Sequence, residues 1–350
     1  MNTYPAEVDV MEKNLAQGDS KRIFYLDFAR GLAVFFMIMQ HSMIMHERTS
    51  GEGDTLLGNL FVLLGTAPAA PVFIFIMGVF AVRSKKSVAE NMIRGCKIFA
   101  FGYVLNLLRF TIPFSLASNS GEAVSLLFMV DIFQLAGLSL IFFSAFKKLA
   151  EHVFILPAFI VGILLISPYM WGLKSDWYIF DPLWGAGANT QFPIFPWGVY
   201  FLLGMYVSKH LQTQNLEEQI KKKYLMGSLI LGIAGAAMYP LFPIGDYNRS
   251  GLAIHLLMMS FIFLWMVLAN YFVTTLNKAG FQKLLNPIYF WSSHVTGIYI
   301  IQWVIFGWSV LLLGVHELTD YTAMIFGFVV LLVTDVLLKF TNLKRILPKL

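Results

Sequence analysis

The amino-acid sequence predicts an all-α, polytopic integral membrane protein with about ten transmembrane helices. Hydrophobic residues make up 58% of the chain and charged residues only 13%, whereas a soluble domain carries about 25% charged residues. The apolar residues form continuous stretches of about 20, the length that crosses a bilayer as a helix, and lack the alternation of a β-barrel. These observations exclude a soluble globule, and the 33 Phe and 8 Trp exclude a disordered chain.

Ten apolar stretches define the predicted helices in chain order. The first contains Asp27, Arg30 and His41 and has no small-residue cleavage site, so we expect a retained span and not a cleaved signal peptide. No repeat or second soluble domain interrupts the series, which indicates a single transmembrane domain over residues 23–350. The stretches cover residues 24–45, 59–82, 92–111, 123–146, 152–170, 192–208, 224–243, 253–275, 288–312 and 321–340.

The positive charges predict the orientation of these helices. Lysine and arginine concentrate in alternate loops and in both terminal segments, and only Arg48, Lys174 and Arg249 lie in the other loops. Because cytoplasmic loops carry the excess of positive charge, we expect both termini in the cytoplasm, with residues 1–22 as a polar tail. The net charge of +5 is scattered over short loop clusters, a pattern that does not favour nucleic acid as a partner.

Three polar residues lie on one face of the first predicted helix. At 100° per residue, Asp27, Arg30 and His41 fall within about 80° of one another. Asp27 and Arg30 can pair at their i,i+3 spacing. Arg30 and His41 are eleven positions apart, or ~16 Å along the axis, a length comparable to an extended pantetheine arm.

The residues alone leave two interpretations of this face open. In the functional one, Arg30 binds an anionic group that enters from the cytoplasm, Asp27 orients Arg30, and His41 acts as a general base or a transient nucleophile. Ionisable residues inside a membrane usually mark such a site. In the structural one, Asp27 and Arg30 form an interfacial ion pair and His41 makes a satisfied polar contact between helices.

Four segments, ordered along roughly 180 residues, carry a family resemblance. The first contains Arg22, Asp27-Phe-Ala-Arg30-Gly-Leu-Ala, Met37 and His41 in an Arg-x10-His arrangement. The others are residues 69–78 (AAPVFIFIMG), residues 131–139 (DIFQLAGLS) and residues 195–205, with FPWG followed by LGM. This ordered set resembles the transmembrane acyltransferases, which include the heparan-α-glucosaminide N-acetyltransferase-like bacterial membrane proteins and relatives that O-acylate sugars.

The resemblance implies a membrane-embedded acyltransferase of the bacterial inner membrane. It implies transfer of an acyl group, usually acetyl, from cytoplasmic acetyl-CoA or another acyl-CoA to a hydroxyl or amine of a carbohydrate or glycolipid outside. Carried over by position, His41 is the catalytic histidine and Arg30 a donor-site residue. One departure is that relatives often have a Tyr-x-x-His element in a late span, where this chain has Tyr299-Ile-Ile-Gln302.

Further polar residues are candidates for the same site. Asp131 can orient His41 and stabilise its imidazolium, or it can pair with Arg109 of the preceding span for structure alone. Arg94 and Lys97 can attract the phosphates of the donor, or they can be cationic anchors that snorkel to the interface. We also predict substrate or donor contacts for two residues of the family-like segments, Gln134 and Trp197.

Two functions compete with acyl transfer at this stage: a secondary transporter and a purely structural or assembly protein, the second of which leaves the buried charges unexplained. A secondary transporter for an anionic or glycan-linked solute fits helices broken near Pro68 and Pro71 and near Pro193 and Pro196. A bis-histidine haem protein is disfavoured because no two histidines lie one or two turns apart on one helical face, so we expect no metal or haem.

The aromatic segment 168–192 is either an interfacial belt or a sugar-stacking platform. Small residues on the helix faces permit a homodimer.

Overall fold

The computed structural model describes residues 23–48, 55–66, 69–117, 120–171, 173, 180–185, 189–210, 220–242 and 247–341. The predicted polar tail, residues 1–22, therefore lies outside the described residues. Regular structure in the described part is helical, apart from isolated β-bridges that join Glu47 to Leu318 and Val130 to Thr190. The predicted all-α class is confirmed.

Sixteen α-helices are described in chain order, some of them separated only by a kink. They are α1 Phe24–His46, α2 Leu56–Thr66, α3 Ala69–Arg83, α4 Val88–Asn106, α5 Ile112–Leu116, α6 Ser120–Leu127, α7 Ile132–Phe143, α8 Ile155–Met170, α9 Asp181–Trp184, α10 Ile194–Trp197, α11 Val199–His210, α12 Leu225–Met238, α13 Leu252–Lys278, α14 Asn286–Ser293, α15 Val295–Leu313 and α16 Asp320–Phe340. A π-helical turn, Leu107–Thr111, joins α4 to α5.

Six segments of the described chain are long and apolar enough to cross a membrane, which confirms a polytopic membrane protein. Shorter apolar helices occupy Ile132–Lys147 and Ile155–Met170. Each of the ten predicted stretches contains a helix, and the exact number of spans remains a prediction. The six long segments are Phe24–His46, Leu56–Arg83, Val88–Leu116, Leu252–Lys278, Val295–Leu313 and Asp320–Phe340.

The helix that carries the polar face, α1, lies at the centre of the bundle. It packs against α2, α3, α13, α14, α15 and α16. Its buried residues surround the helix instead of forming one stripe, as expected of a helix that is enclosed on all sides. Asp27, Arg30 and His41 consequently face protein or internal cavities, where a charge can find partners that lipid does not offer.

The prediction of one continuous helix over residues 123–146 is wrong. The chain leaves helical geometry after α6 ends at Leu127, and α7 begins only at Ile132. Asp131 has extended backbone angles (φ −129°, ψ −170°), and its side chain caps α7 in a capping box with Gln134. Since an N-cap residue is non-helical, the carboxyl group that interrupts the apolar stretch also starts the helix. The predicted span 288–312 is likewise divided at His294, between α14 and α15.

Two helical glycines allow α3 and α11 to cross closely. A Cβ atom at Gly78 would lie 2.1 Å from the carbonyl oxygen of Phe201, and one at Gly204 would lie 1.9 Å from that of Phe75. Each glycine therefore accommodates the backbone of the opposite helix. Small residues at crossings allow such contact in membranes, where association of helices depends on close packing.

This crossing predicts that Gly204→Ala destabilises the protein although alanine favours helices. The added Cβ would collide with the Phe75 backbone, and overpacking of this kind costs about 1–3 kcal/mol. Thermal unfolding in detergent micelles, followed by circular dichroism, measures the loss. Gly162→Ala in α8 is the matched control, because nothing lies within 4 Å of a Cβ there. Equal stability of Gly204→Ala and Gly162→Ala would contradict the prediction.

Candidate active site

Arg30 is held at one end of α1 by a carboxylate and a hydroxyl group. Its Nη2 donates to Asp27 Oδ1 at 3.0 Å, and its Nε donates to Ser292 Oγ at 2.8 Å. Ser292 Oγ in turn donates to Asp27 Oδ1 at 3.1 Å. The predicted pairing of Asp27 with Arg30 is therefore present, and Ser292 of α14 completes a closed triangle that orients the guanidinium group.

Arg30 lines a cavity of about 330 Å³, here named the Arg30 cavity. A second cation, Arg94 of α4, also lines it, whereas Lys97 is exposed and does not. Apart from these arginines, Ser84, Thr296 and Tyr299, its walls are apolar. The remaining lining residues are Phe73, Ile74, Ile76, Met77, Phe80, Ala81, Ile98, Ile132, Phe133, Ala136, Leu140 and Val295.

His41 lies toward the other end of α1 and contacts α15. The side-chain amide of Gln302 hydrogen-bonds to His41 Nδ1, with its nitrogen 2.9 Å and its oxygen 3.3 Å from that ring atom. The indole of Trp303 covers the imidazole, with ring centroids 4.2 Å apart. Tyr299 approaches edge-on at 6.2 Å. Together these three residues limit the orientations that the imidazole ring can adopt.

Asp131 and Arg109 form an ion pair with almost no exposure to solvent. Asp131 Oδ2 lies 2.6 Å from Arg109 Nη2 and accepts the Tyr299 hydroxyl proton at 2.5 Å, while Oδ1 accepts from Ile132 N at 2.7 Å. Arg109 also donates to Asn106 Oδ1 from Nη2 and Nε, at 2.8 and 3.2 Å. The pair thus ties the π-helical turn to the start of α7 and to α15.

A second, smaller cavity of about 50 Å³ contains His41 and Asp131 in its lining and is named the His41 cavity. It shares Phe73, Ile132 and Tyr299 with the Arg30 cavity, so the two lie end to end along α1 with these three side chains between them. Its other lining residues are Met37, Gln40, Gly65, Thr66, Ala69, Ala70, Phe192 and Tyr247.

Asp131 and His41 share this cavity, but the described residues contain no hydrogen bond between them. The carboxylate is taken up by Arg109, Tyr299 and the Ile132 backbone. Gln302 instead contacts the imidazole nitrogen. In the sequence, Gln302 stands out only as a departure from a family pattern. The available signal was a polar side chain at i+3 from Tyr299 in an otherwise apolar helix.

Gln134 and Trp197 have structural contacts and line neither cavity. Gln134 Oε1 accepts from Asp131 N at 3.1 Å in the cap of α7. Trp197 donates from Nε1 to the Asn248 carbonyl at 2.9 Å and packs edge-on against Tyr247. Since Tyr247 lines the His41 cavity, Trp197 supports its wall from behind. Direct roles of Gln134 and Trp197 in substrate binding stay predictions.

Tyr247 brings a hydroxyl group to the rim of the His41 cavity from a short 3-10 segment outside the spanning helices. Its hydroxyl donates to the Thr66 carbonyl at 3.0 Å. Burial raises the pKa of Tyr247, so the hydroxyl remains a protonated donor.

In the aromatic segment 168–192, Trp184 stacks on Phe180, while Trp177 and Tyr178 lie outside the described residues.

The remaining buried histidines are engaged elsewhere. His46 contacts the Gly314 carbonyl and Ser309 Oγ through its two ring nitrogens, at 3.1 and 2.9 Å. His255 Nδ1 lies 2.7 Å from the Tyr200 hydroxyl. Within the described ranges, no group of three or more His, Cys, Asp and Glu residues is placed to hold a metal ion.

The ion pair predicts a strong coupling between Arg109 and Asp131. Arg109→Met leaves a buried carboxylate without its cation, and breaking such a pair costs about 3–5 kcal/mol. The double variant Arg109→Met with Asp131→Asn is expected to lose less unfolding free energy than the two single variants lose together, because neither charge is then left unpaired. Thermal unfolding of the four proteins in detergent measures the coupling.

Lys209→Ala provides the control for that cycle. Lys209 Nζ lies 2.9 Å from Glu151 Oε1 in an exposed pair, and the hydrogen bond from Lys209 lowers the pKa of Glu151. Exposed ion pairs contribute little to stability, so this change is expected to leave unfolding unaltered. Strictly additive effects of Arg109→Met and Asp131→Asn would contradict the assigned pairing.

Comparison with known protein families places this geometry in context. The family model described as heparan-alpha-glucosaminide N-acetyltransferase, catalytic, matches residues 22–241. The matched region includes α1, α3, α4 and α7, which contribute most of both cavities. Comparison with curated proteins gives no match.

Proposed function

The chain belongs to the heparan-α-glucosaminide N-acetyltransferase catalytic family, whose members are membrane acetyltransferases that act on sugars, and on this premise we propose its reaction. It transfers an acetyl group from cytoplasmic acetyl-CoA to a hydroxyl or amine of a sugar or glycoconjugate on the outer side. The observation that carries this proposal is the pair of cavities that lie end to end along α1, with Arg30 in one and His41 in the other.

The Arg30 cavity is the donor site. Arg30 and Arg94 supply cations at the end that the positive-inside rule assigns to the cytoplasm, and guanidinium groups match phosphate in charge and geometry. Asp27 and Ser292 orient the Arg30 guanidinium. The apolar walls suit a pantetheine arm, which would carry the thioester over the ~16 Å between Arg30 and His41.

The His41 cavity is the place of acyl transfer. As a general base, His41 removes the proton from the acceptor while its oxygen or nitrogen attacks the thioester carbonyl carbon. The new C–O or C–N bond forms, the C–S bond breaks, and the imidazolium returns the proton to the departing sulfur. Alternatively, the ring nitrogen attacks the thioester first, the C–S bond breaks and the coenzyme leaves as a thiolate. The acceptor then attacks the acyl-imidazolium, the imidazole departs, and the proton that the acceptor loses neutralises the thiolate.

The acceptor enters beside Gln40, Thr66 and Tyr247. These residues offer amide and hydroxyl groups next to the aromatic ring of Phe192, the combination of polar and aromatic surface that fixes a polar ligand in a pocket. Asp131 contributes through the buried pair with Arg109, which holds Tyr299 and Ile132 between donor and acceptor. The protein acts in the bacterial inner membrane with both termini in the cytoplasm.

Two substitutions are expected to separate donor binding from chemistry. Arg30→Ala weakens binding of acetyl-CoA about tenfold or more, because a charge-assisted hydrogen bond to phosphate contributes about 1.5–3 kcal/mol. His41→Ala lowers turnover about 10²- to 10⁴-fold, as loss of a general base does, and leaves acetyl-CoA binding unchanged. Both are measured on purified protein in lipid nanodiscs with radiolabelled acetyl-CoA and a panel of amino-sugar and glycan acceptors.

Lys209→Ala is the cation control for this experiment, because Lys209 belongs to a segment predicted to face the cytoplasm and lines neither cavity. Unchanged acetyl-CoA affinity in Arg30→Ala would remove the donor-site assignment. Full turnover by His41→Ala would remove the role of His41. Transport of a glycan-linked solute into vesicles without any turnover of acetyl-CoA would favour the secondary transporter.

Phe73 is expected to limit the length of the acyl chain. It lines both cavities, and the His41 cavity beyond it holds only about 50 Å³. Phe73→Ala widens the passage between the cavities. The ratio of kcat/KM for butyryl-CoA to kcat/KM for acetyl-CoA should therefore rise about tenfold or more, because one methylene group in an apolar pocket changes kcat/KM by about this factor. Phe328→Ala, whose side chain is exposed on α16, is the control. An unchanged ratio in Phe73→Ala would contradict the prediction.

A further inference from the structure

We infer that Gln302 is the positioning residue that selects the reactive tautomer of His41. The inference rests on the proposed function, because it assigns a base to the reaction proposed for the His41 cavity. It is carried by the contacts of one buried amide and by the hydrogen bonds that commit Asp131 and Tyr299 to other partners.

Gln302 is fully buried in α15, and its hydrogen bonding is devoted to one partner. Its side chain has 0% exposure. In the part of the chain that the structure describes, its side-chain amide bonds to His41 Nδ1 and to no other residue. A buried amide is costly unless it is hydrogen-bonded, so placing one against a single ring nitrogen indicates a specific requirement at that nitrogen.

Asp131 and Tyr299, which share the cavity with His41, are committed to other partners. The Asp131 carboxylate accepts from Tyr299 and from Ile132 N and pairs with Arg109. Tyr299 donates its hydroxyl proton to Asp131 and contacts the imidazole only through its ring edge. Neither group is left to fix the position of the imidazole proton, and the amide of Gln302 is the side chain that hydrogen-bonds to the ring in the described residues.

The tautomer follows from which amide atom faces His41. A half-turn of the amide exchanges its oxygen and nitrogen, and both lie within 3.3 Å of Nδ1. When the oxygen faces the ring, Nδ1–H donates to it and the lone pair lies on Nε2. Nε2 has no hydrogen-bond partner in the described ranges, and His41 lines the cavity. The reaction requires this orientation, since the opposite one places the proton on Nε2 and removes the base.

The choice of an amide instead of a carboxylate keeps this imidazole neutral. The charged groups that face His41 are Asp131 and Arg109, which compensate each other, and the titratable hydroxyls in contact with its cavity are those of Tyr299 and Tyr247. Gln302 adds no charge. A carboxylate in its place would hold the same Nδ1–H but would also stabilise the imidazolium, which cannot accept a proton.

The test compares Gln302→Leu, Gln302→Glu and the parent protein in nanodiscs, with Ser309→Ala as control. Ser309 lies on the same helix and contacts His46, so its change removes a buried histidine contact remote from the cavities. The first readout is ¹⁵N NMR of histidine-labelled protein, with the His41 signals assigned by their loss in His41→Gln. We expect a single Nδ1–H tautomer in the parent, in Ser309→Ala and in Gln302→Glu at high pH, and a mixture in Gln302→Leu.

The second readout is the pH dependence of turnover. Gln302→Leu should lower kcat at least about tenfold, short of the ~10²- to 10⁴-fold effect of losing the base itself, with KM for acetyl-CoA unchanged. Gln302→Glu should recover kcat at high pH, and its acid limb should move upward by about one pH unit or more, because imidazolium must deprotonate before it can act.

The outcomes separate this inference from the function on which it rests. An Nε2–H tautomer in the parent, or a single unchanged Nδ1–H tautomer in Gln302→Leu, would overturn the role of Gln302 whatever the activity. Identical pH profiles of Gln302→Glu and the parent would overturn it as well. A parent protein with the expected tautomer but without acetyl transfer would instead overturn the proposed function and leave the positioning of His41 intact.

Discussion

The constraint on which the rest of the structure depends is the cost of burying charge among apolar helices. Arg109 and Asp131 meet that constraint by pairing at 2.6 Å, with Asn106 and Tyr299 completing their hydrogen bonds. Such a pair is favourable only if every remaining donor and acceptor is satisfied, which draws three elements to one point. The π-helical turn, the start of α7 and the middle of α15 are held together in this way. π-helical turns inside α-helices are frequent at functional sites.

The position of that pair explains why the two cavities meet where they do. Asp131 accepts hydrogen bonds from the Ile132 backbone at the start of α7 and from the Tyr299 hydroxyl. Ile132 and Tyr299 each line both cavities. One carboxylate therefore positions two of the three side chains that separate Arg30 from His41. Further along α15, Gln302 and Trp303 reach His41 from the same helix. A charge pair of which only Asp131 lines a cavity can in this way determine how the two cavities meet.

Several features of the site were predictable because they are local. The i,i+3 spacing of Asp27 and Arg30 on one helix was enough to predict their contact, which the structure contains. The ion pair of Arg109 with Asp131 was one of two open alternatives for Asp131 and is present. The helix over residues 123–146 was predicted wrongly, since hydropathy does not register that a carboxyl group can cap a helix within an apolar stretch. Arg94 and Lys97 were equivalent in sequence, and only the direction of each side chain from α4 separates the residue that lines a cavity from the one that is exposed.

The sequence by itself determined the all-α membrane class and the rare polar residues on which the site is built. Both are local properties, because the transfer of about 20 apolar residues into a bilayer depends on those residues alone. The tertiary structure decided which polar groups become partners. Tyr299 and Asp131 are 168 positions apart, and Gln302 and His41 are 261 apart. Contacts at such separations follow from how the helices pack, and packing depends on the shapes of all the surfaces that meet.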